Sequence, residues 1–185
     1  MNITLNKNSI ASLILAITVG AIIFRITPVH VTKNITVIIS KNRVSITDIH
    51  QKRDIISTRK VSLDHVDLYY KGKFGHPKLG NIAKASDDFF LDIDQTFKVM
   101  QDGTYEFLVG SDDGFTLVIN GKKICEHTHD RPYSIQSCNI FLKGGSHRLQ
   151  ASYFQGFGNS GFTLQYQTNG KTYWFGDDSP NLRLD

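Results

Sequence analysis

Apolar and polar residues alternate with a period of two along most of the chain beyond Leu63. In TYEFLVG the residues Tyr105, Phe107 and Val109 share one face; in FTLVI it is Phe115, Leu117 and Ile119; in CNIFL it is Cys138, Ile140 and Leu142. LQASY adds Leu149, Ala151 and Tyr153, and FTLQY adds Phe162, Leu164 and Tyr166. Runs of this period and length are strands with one buried face. Asp102-Gly103, Asn120-Gly121, Gly144-Gly145 and Asn169-Gly170 punctuate them, and these are residue types that take the positive φ of tight hairpins. No amphipathic helix intervenes, which argues against βαβ units. The regular spacing predicts an all-β fold, an antiparallel β-sandwich or barrel.

The opening of the chain follows a different pattern. SIASLILAITVGAIIF, Ser9 to Phe24, is a run of sixteen uncharged residues closed by Arg25. A bilayer span uses about 20 residues. With Arg25 snorkelling and Ile26 at the interface, the run reads as a single transmembrane anchor over residues 9–26 after a short tail, 1–8. A cleaved signal peptide is the rival, but the candidate cuts, Thr18-Val19-Gly20 and Val19-Gly20-Ala21, lie inside the apolar run. Residues 27–62, rich in β-branched and basic side chains, are expected to form a stalk or linker with room for one or two strands, ITVIIS being the best candidate. The sandwich is then expected over residues 63–185.

Composition changes this picture in two places. A chain of 185 residues, 40% hydrophobic, supports one domain with a real core. Its formal charge of +4 is unevenly spread: residues 1–62 hold nine of the 21 Lys and Arg and two of the 17 Asp and Glu, a balance of +7 against −3 for the remainder. That basic stretch suits an anionic membrane surface. Nucleic acid is not an expected partner, because no aromatic residue stands between Phe24 and Tyr69 to stack bases among the basic side chains. The positive-inside count sets Lys7 against Arg25, Lys33, Lys41 and Arg43 and would keep the domain in the cytoplasm. The even pair Cys125 and Cys138, spaced across two predicted neighbouring strands, suits a disulfide in an oxidising compartment instead. The expectation is a cytoplasmic tail with the C-terminal domain extracytoplasmic, whether periplasmic or extracellular.

The order DLYYKGKF, DQTFKVMQDGTYEFLVGSDDGFTLVINGKKI and LKGGSHRLQASYFQGFGNSGFTLQY resembles the protective-antigen fourteen-kilodalton (PA14) domain, a β-sandwich module of adhesins, flocculins and glycosidases. The most specific features are Gly103-Thr104-Tyr105, Ser111-Asp112-Asp113-Gly114, Asn120-Gly121, Gly144-Gly145 and Tyr153, and the resemblance covers roughly Leu63 to Asp185. It implies a sandwich of that type. It also implies that Asp112 and Asp113 bind calcium across a cis peptide bond, helped by Gln155 or Asn159 from the loop after Tyr153, with sugar hydroxyls completing the ion. Backbone carbonyls near Gly156 and Phe157 fit further positions, and Phe157 is placed to stack on a sugar ring.

Elementary chemistry is consistent with this. Calcium takes six to eight oxygen ligands, and two carboxylates bring the charge that makes binding favourable. The plain alternative is a turn in which the first Asp accepts a local backbone bond and Gly114 takes positive φ; from spacing alone the turn is favoured, and the resemblance tips the reading to a cation. Asp87-Asp88 lacks the glycine and reads as a solvated loop. A competing zinc reading takes Cys125, His127 and His129, alternating in CEHTHD, with Asp130 or Cys138 as a fourth ligand. No serine elbow, phosphate loop or helical His-Glu motif is present, so an enzyme is not expected. The functional expectation is a membrane-anchored, calcium-dependent carbohydrate-binding module. The alternative is a non-catalytic protein-interaction or envelope-assembly module in which the Asp-Asp turn is structural.

Overall fold

A computed structural model of the chain describes residues 7–26 and 34–184. The first of its two compact units contains a helix, α1, over Lys7–Ile26. The expected transmembrane anchor over residues 9–26 is not upheld: no helix among the described residues is long and apolar enough to cross a membrane. Residues 1–6 of the expected tail and 27–33 of the expected stalk lie outside the described residues.

The second unit is a β-domain. Its strands in chain order are β1 (Ile35–Asn42), β2 (Ile55–Leu63), β3 (Asp67–Tyr70), β4 (Lys73–Phe74), β5 (Phe89–Val99), β6 (Gly103–Asp112) and β7 (Phe115–Ile119). These are followed by β8 (Lys122–His127), β9 (Ser134–Leu142), β10 (Gly145–Gln155), β11 (Gly161–Thr168), β12 (Lys171–Trp174) and β13 (Leu182–Leu184). One sheet runs β2-β1-β5-β10-β7-β8, with β13 also on β5; the other runs β4-β3-β11-β6-β9, with β12 also on β11. Every named pairing is antiparallel.

The alternation in sequence becomes the two inner faces of this sandwich. Tyr105, Phe107 and Val109 on β6 and Phe162, Leu164 and Tyr166 on β11 are buried against Phe115, Leu117 and Ile119 on β7 and Leu149, Ala151 and Tyr153 on β10 in one core cluster. Rings cross the gap between sheets: Phe97 meets Phe107 edge-on at 6.3 Å, and Tyr153 stacks on Phe162 at 5.2 Å. Two of the expected hairpins have both central residues at positive φ, Asn120-Gly121 and Asn169-Gly170, and Lys71-Gly72 forms a third. Asp102-Gly103 does not. Gly103 is already in β6, and Asp102 uses its side chain to accept the Gly144 amide at 2.6 Å.

The basic stretch is not a stalk, and the boundary expected at residue 63 falls too late. ITVIIS opens β1, which lies between β2 and β5 and buries Ile35, Val37 and Ile39 in the core. The charge asymmetry of the sequence is resolved by pairing the two parts. Arg53 forks onto Asp92 at 2.6 and 3.0 Å while its guanidinium lies over the Phe90 ring, and Lys41 reaches Asp87 at 3.1 Å. The surplus positive charge on β2, at Arg59 and Lys60, decorates a sheet edge, where charge discourages pairing with other strands.

The cysteines are joined, Cys125 on β8 to Cys138 on β9, with Cα atoms 6.0 Å apart. They are consecutive strands of different sheets, so the bridge ties one edge of the sandwich to the other. It also removes both sulfurs from the zinc reading built on Cys125, His127 and His129. Replacing both cysteines by serine is expected to lower the unfolding free energy by about 3 kcal/mol, for a closed loop of this size. Denaturant titration checks this: reduction of the wild type should move its midpoint onto that of the double variant.

Candidate functional site

Three connections that carry the chain from one sheet to the other meet at one end of the sandwich. β6 ends at Asp112 in one sheet and β7 begins at Phe115 in the other, so Asp112-Asp113-Gly114 is a crossing corner and not a hairpin. The β8–β9 and β10–β11 connections cross beside it. The β1–β2 loop and the segment before β5 complete a cavity of about 720 Å³ lined by Ser45 to Thr47, Asp87, Asp88, Asp112, Asp113, Asp130, Arg131, Pro132, Gly156, Phe157 and Asn159.

The peptide bond between Asp112 and Asp113 is cis. Asp112 Oδ2 accepts the Tyr133 amide at 3.0 Å, and Asp113 Oδ2 accepts the Gly156 amide at 2.7 Å. Their backbone carbonyls are held as well: Ser111 Oγ donates to Asp113 O at 2.6 Å, and the Tyr153 hydroxyl donates to Asp112 O. Tyr133 is in turn fixed by stacking on Tyr69 with centroids 3.8 Å apart and by its hydroxyl bond to Thr163. Glycine is required at the corner for space, because Gly114 is not at positive φ; a Cβ there would lie 2.5 Å from Phe154 Cε1 and 2.7 Å from His127 O. Gly156 is similarly confined, with Ile46 O 2.6 Å from its missing Cβ.

Both carboxylates are nearly sealed from solvent, Asp112 at 6% and Asp113 at 4% exposure. Burial pushes the Asp113 carboxyl up to about 6, against the Gly156 hydrogen bond and with the charges of Asp112 and Asp130 adding to the rise. Burial raises Asp112 as well, opposed by the Tyr133 amide and the Arg131 charge. The nearest guanidinium, Arg131, is engaged elsewhere, donating from Nη2 to Ser111 Oγ at 2.8 Å and to Ser134 O at 3.3 Å. Buried carboxylates are ordinarily paired with a cation or bound to a metal. The pair, backed by Asp87, Asp88 and Asp130 on the same walls, is an all-oxygen donor set that fits a hard divalent cation.

The structure sorts the residues singled out in the sequence. Asp112, Asp113, Asn159 and Phe157 all line the cavity, Phe157 at 89% exposure. Gln155 does not. It is fully buried, its carbonyl receives the Tyr153 hydroxyl at 2.7 Å, and its amide donates to Asn159 O at 2.9 Å. Its position at the end of β10 turns it into the core, where it braces the loop. Asp87-Asp88, read as a solvated loop, is instead a wall of the same cavity: Asp88 donates its amide to Gly156 O at 2.9 Å and accepts the Ile46 amide at 3.1 Å. Arg131 and the 45–47 segment were missed altogether. Only Tyr153 carried a signal, being the last residue of a period-two run that reaches the corner.

The family model described as the PA14 domain matches residues 78–179. Among solved structures, the PA14 domain of an antifreeze protein superposes with a TM-score of 0.59 at 15% identity, covering 80% of this chain and 89% of that one. The PA14 sugar-binding domain from an RTX adhesin gives 0.59 at 16% identity, with 78% and 95% covered. The A domain of epithelial adhesin 9 from Candida glabrata, in complex with Galβ1-3GlcNAc, gives 0.56 at 11% identity, with 84% and 91% covered. At such identities the likeness is one of fold. No curated protein matches the chain.

The raised Asp113 carboxyl makes a signed prediction for the metal-free protein. Its folded value of about 6 lies above the 3.8 of an unperturbed carboxyl in the unfolded chain, so the folded state holds a proton through the interval between them that the unfolded state has lost. Stability is therefore expected to fall as pH rises from about 4 to about 6. His76, whose pKa burial lowers, acts with the opposite sign over part of that window. The check is the difference in melting temperature between wild type and Asp113→Asn, which cancels the histidine: in chelator the variant should be the more stable protein at pH 7.5 and lose that advantage by pH 4.

Proposed function

The chain belongs to the PA14 domain family, and we propose that its β-domain is a calcium-dependent carbohydrate-binding module working in an extracytoplasmic compartment. The observation that carries this reading is the pair of buried carboxylates of Asp112 and Asp113 opening onto a cavity whose rim presents Phe157 almost wholly to solvent. The disulfide between Cys125 and Cys138 supports an oxidising location.

In this reading Asp112 and Asp113 hold the ion, with the Asn159 side chain as a further oxygen donor from the neighbouring loop. Bound calcium supplies coordination positions that a vicinal pair of sugar hydroxyls can occupy. The chain's own part is orientation and exclusion of water. The Tyr133 and Gly156 amides fix one oxygen of each carboxylate, which leaves the others for the ion. The Gln155 bridge from Tyr153 to Asn159 O sets the height of the loop. Phe157 offers an apolar ring to the carbon face of a sugar, as aromatic side chains do for other apolar surfaces.

Calorimetric titration of calcium chloride into the chelator-stripped chain is expected to show saturable binding in the wild type and none in a folded Asp113→Asn variant. A glycan array read with and without calcium should give hits that need the ion. Phe157→Ala should weaken those hits about fivefold, the equivalent of about 1 kcal/mol, without changing calcium affinity. A folded protein that binds no calcium would defeat the reading; calcium binding without any glycan would turn the site towards a protein partner.

A further inference from the structure

A second cluster of ligand-type side chains lies away from the acidic cavity. Asp64 and His65 sit between β2 and β3, and His76 follows β4 in a tight loop closed by reciprocal backbone bonds between His76 and Gly80 at 2.8 and 2.9 Å. Candidate ligand atoms of Asp64, His65 and His76 all lie within 4.8 Å of one another. Asp64 is 9% and His76 1% exposed.

Part of this arrangement is an ordinary buried ion network. The Asp64 carboxylate accepts His76 Nε2 at 2.8 Å, Lys78 Nζ at 2.6 Å and the His65 amide at 3.1 Å, which satisfies its charge. His65 is the residue such a network does not need. Its Nδ1 stands 3.6 Å from Asp64 Oδ1 and 3.5 Å from Asp177 Oδ1, both beyond good hydrogen-bond length. The ring is held there by stacking on Trp174 at 5.7 Å, not by its polar contacts. The edge of a coordination tetrahedron is about 3.4 Å when metal–ligand bonds are about 2.0–2.1 Å; His65 Nδ1 already stands near that spacing from Asp64 Oδ1, at 3.6 Å, whereas His76 Nε2, at 2.8 Å, has to draw back as its hydrogen bond to Asp64 is given up.

We infer that Asp64, His65 and His76 form a binding site for a divalent transition cation of the zinc class, separate from the acidic cavity. One Asp64 oxygen, His65 Nδ1 and His76 Nε2 are the ligands, and a water fills the remaining position. Two imidazoles and one carboxylate favour zinc over calcium, which takes oxygen ligands in larger number.

Three rearrangements balance the binding. The Lys78 ammonium, on a side chain 46% exposed, leaves Asp64 for solvent, since it and the metal compete for one carboxylate. The proton on His76 Nε2 moves to Nδ1, so no net proton is released. Nδ1 then no longer accepts the Lys78 amide, a bond already long at 3.2 Å. With Lys78 gone, the metal's two positive charges are matched by Asp64 and Asp177.

The test is titration of zinc chloride into the full chain against a chromophoric chelator, with cobalt chloride and its visible absorption as an independent readout of nitrogen ligation. One equivalent should bind saturably. His65→Ala, a substitution at a partly exposed ring, should weaken zinc at least tenfold. Lys78→Met should tighten it, because the competing ammonium is gone; a purely structural ion network predicts no such gain. His129→Ala, at an exposed imidazole beside Asp48, and Asp113→Asn, at the acidic cavity, should leave zinc affinity unchanged, so this site stands or falls apart from the calcium reading. Absence of one-equivalent binding, unchanged affinity in His65→Ala or in Lys78→Met, or loss in His129→Ala or Asp113→Asn would each overturn the inference.

Discussion

Two carboxylates sealed at the corner where the chain crosses between sheets constrain everything around them. A sandwich needs such crossings. Here the crossing is Asp112-Asp113-Gly114, and the surroundings are arranged to tolerate it. The Tyr133 and Gly156 amides each hold one carboxylate oxygen, and the Ser111 and Tyr153 hydroxyls hold the two backbone carbonyls. Gly114 clears space for Phe154, and Gly156 clears space for Ile46 O. Even Gln155, buried without reaching the cavity, keeps Tyr153 and the loop in register with the corner.

That constraint explains why so much of the fold, and so little of the site, was legible in the sequence. The strands were readable because burial on one face imposes period two wherever a sheet is covered, and Tyr105, Phe107 and Val109 obey it as strictly as Phe162, Leu164 and Tyr166. β1 was half hidden because it carries Lys41 and is followed by Arg43 and Arg53, so its neighbourhood looks like a solvated basic linker. The matching acids, Asp87 and Asp92, are dozens of residues away. No local pattern could disclose that pairing.

The site shows the same limit more sharply. Adjacent aspartates are ambiguous by themselves, and Asp87-Asp88 has the same two letters as Asp112-Asp113 with the opposite local fate. The first pair answers Lys41 and props the Ile46 amide, and the second is buried against the Tyr133 and Gly156 amides. Gln155 and Asn159 are near-equivalent amides in sequence; strand geometry turns the first inward and leaves the second on the rim. The difference comes from where β10 stops.

The cavity also joins two parts of the chain of different standing. Residues 78–179, the span that matches the family model, contain the crossing corner, Asp130 with Arg131, and the Gly156 to Asn159 loop. The opposing wall, Ser45 to Thr47, lies outside that span on the connection between β1 and β2. It is not an appendage. Ile46 O packs on Gly156, the Ile46 amide bonds Asp88, and β1 is hydrogen-bonded into the middle of a sheet. The 45–47 wall is therefore joined to the Asp113 carboxylate by three successive hydrogen bonds, Ile46 to Asp88, Asp88 to Gly156 and Gly156 to Asp113. The cavity wall and the charge at its floor thus share one hydrogen-bonded chain, which is why the charged corner and the connection that leaves the distant strand β1 are parts of the same site.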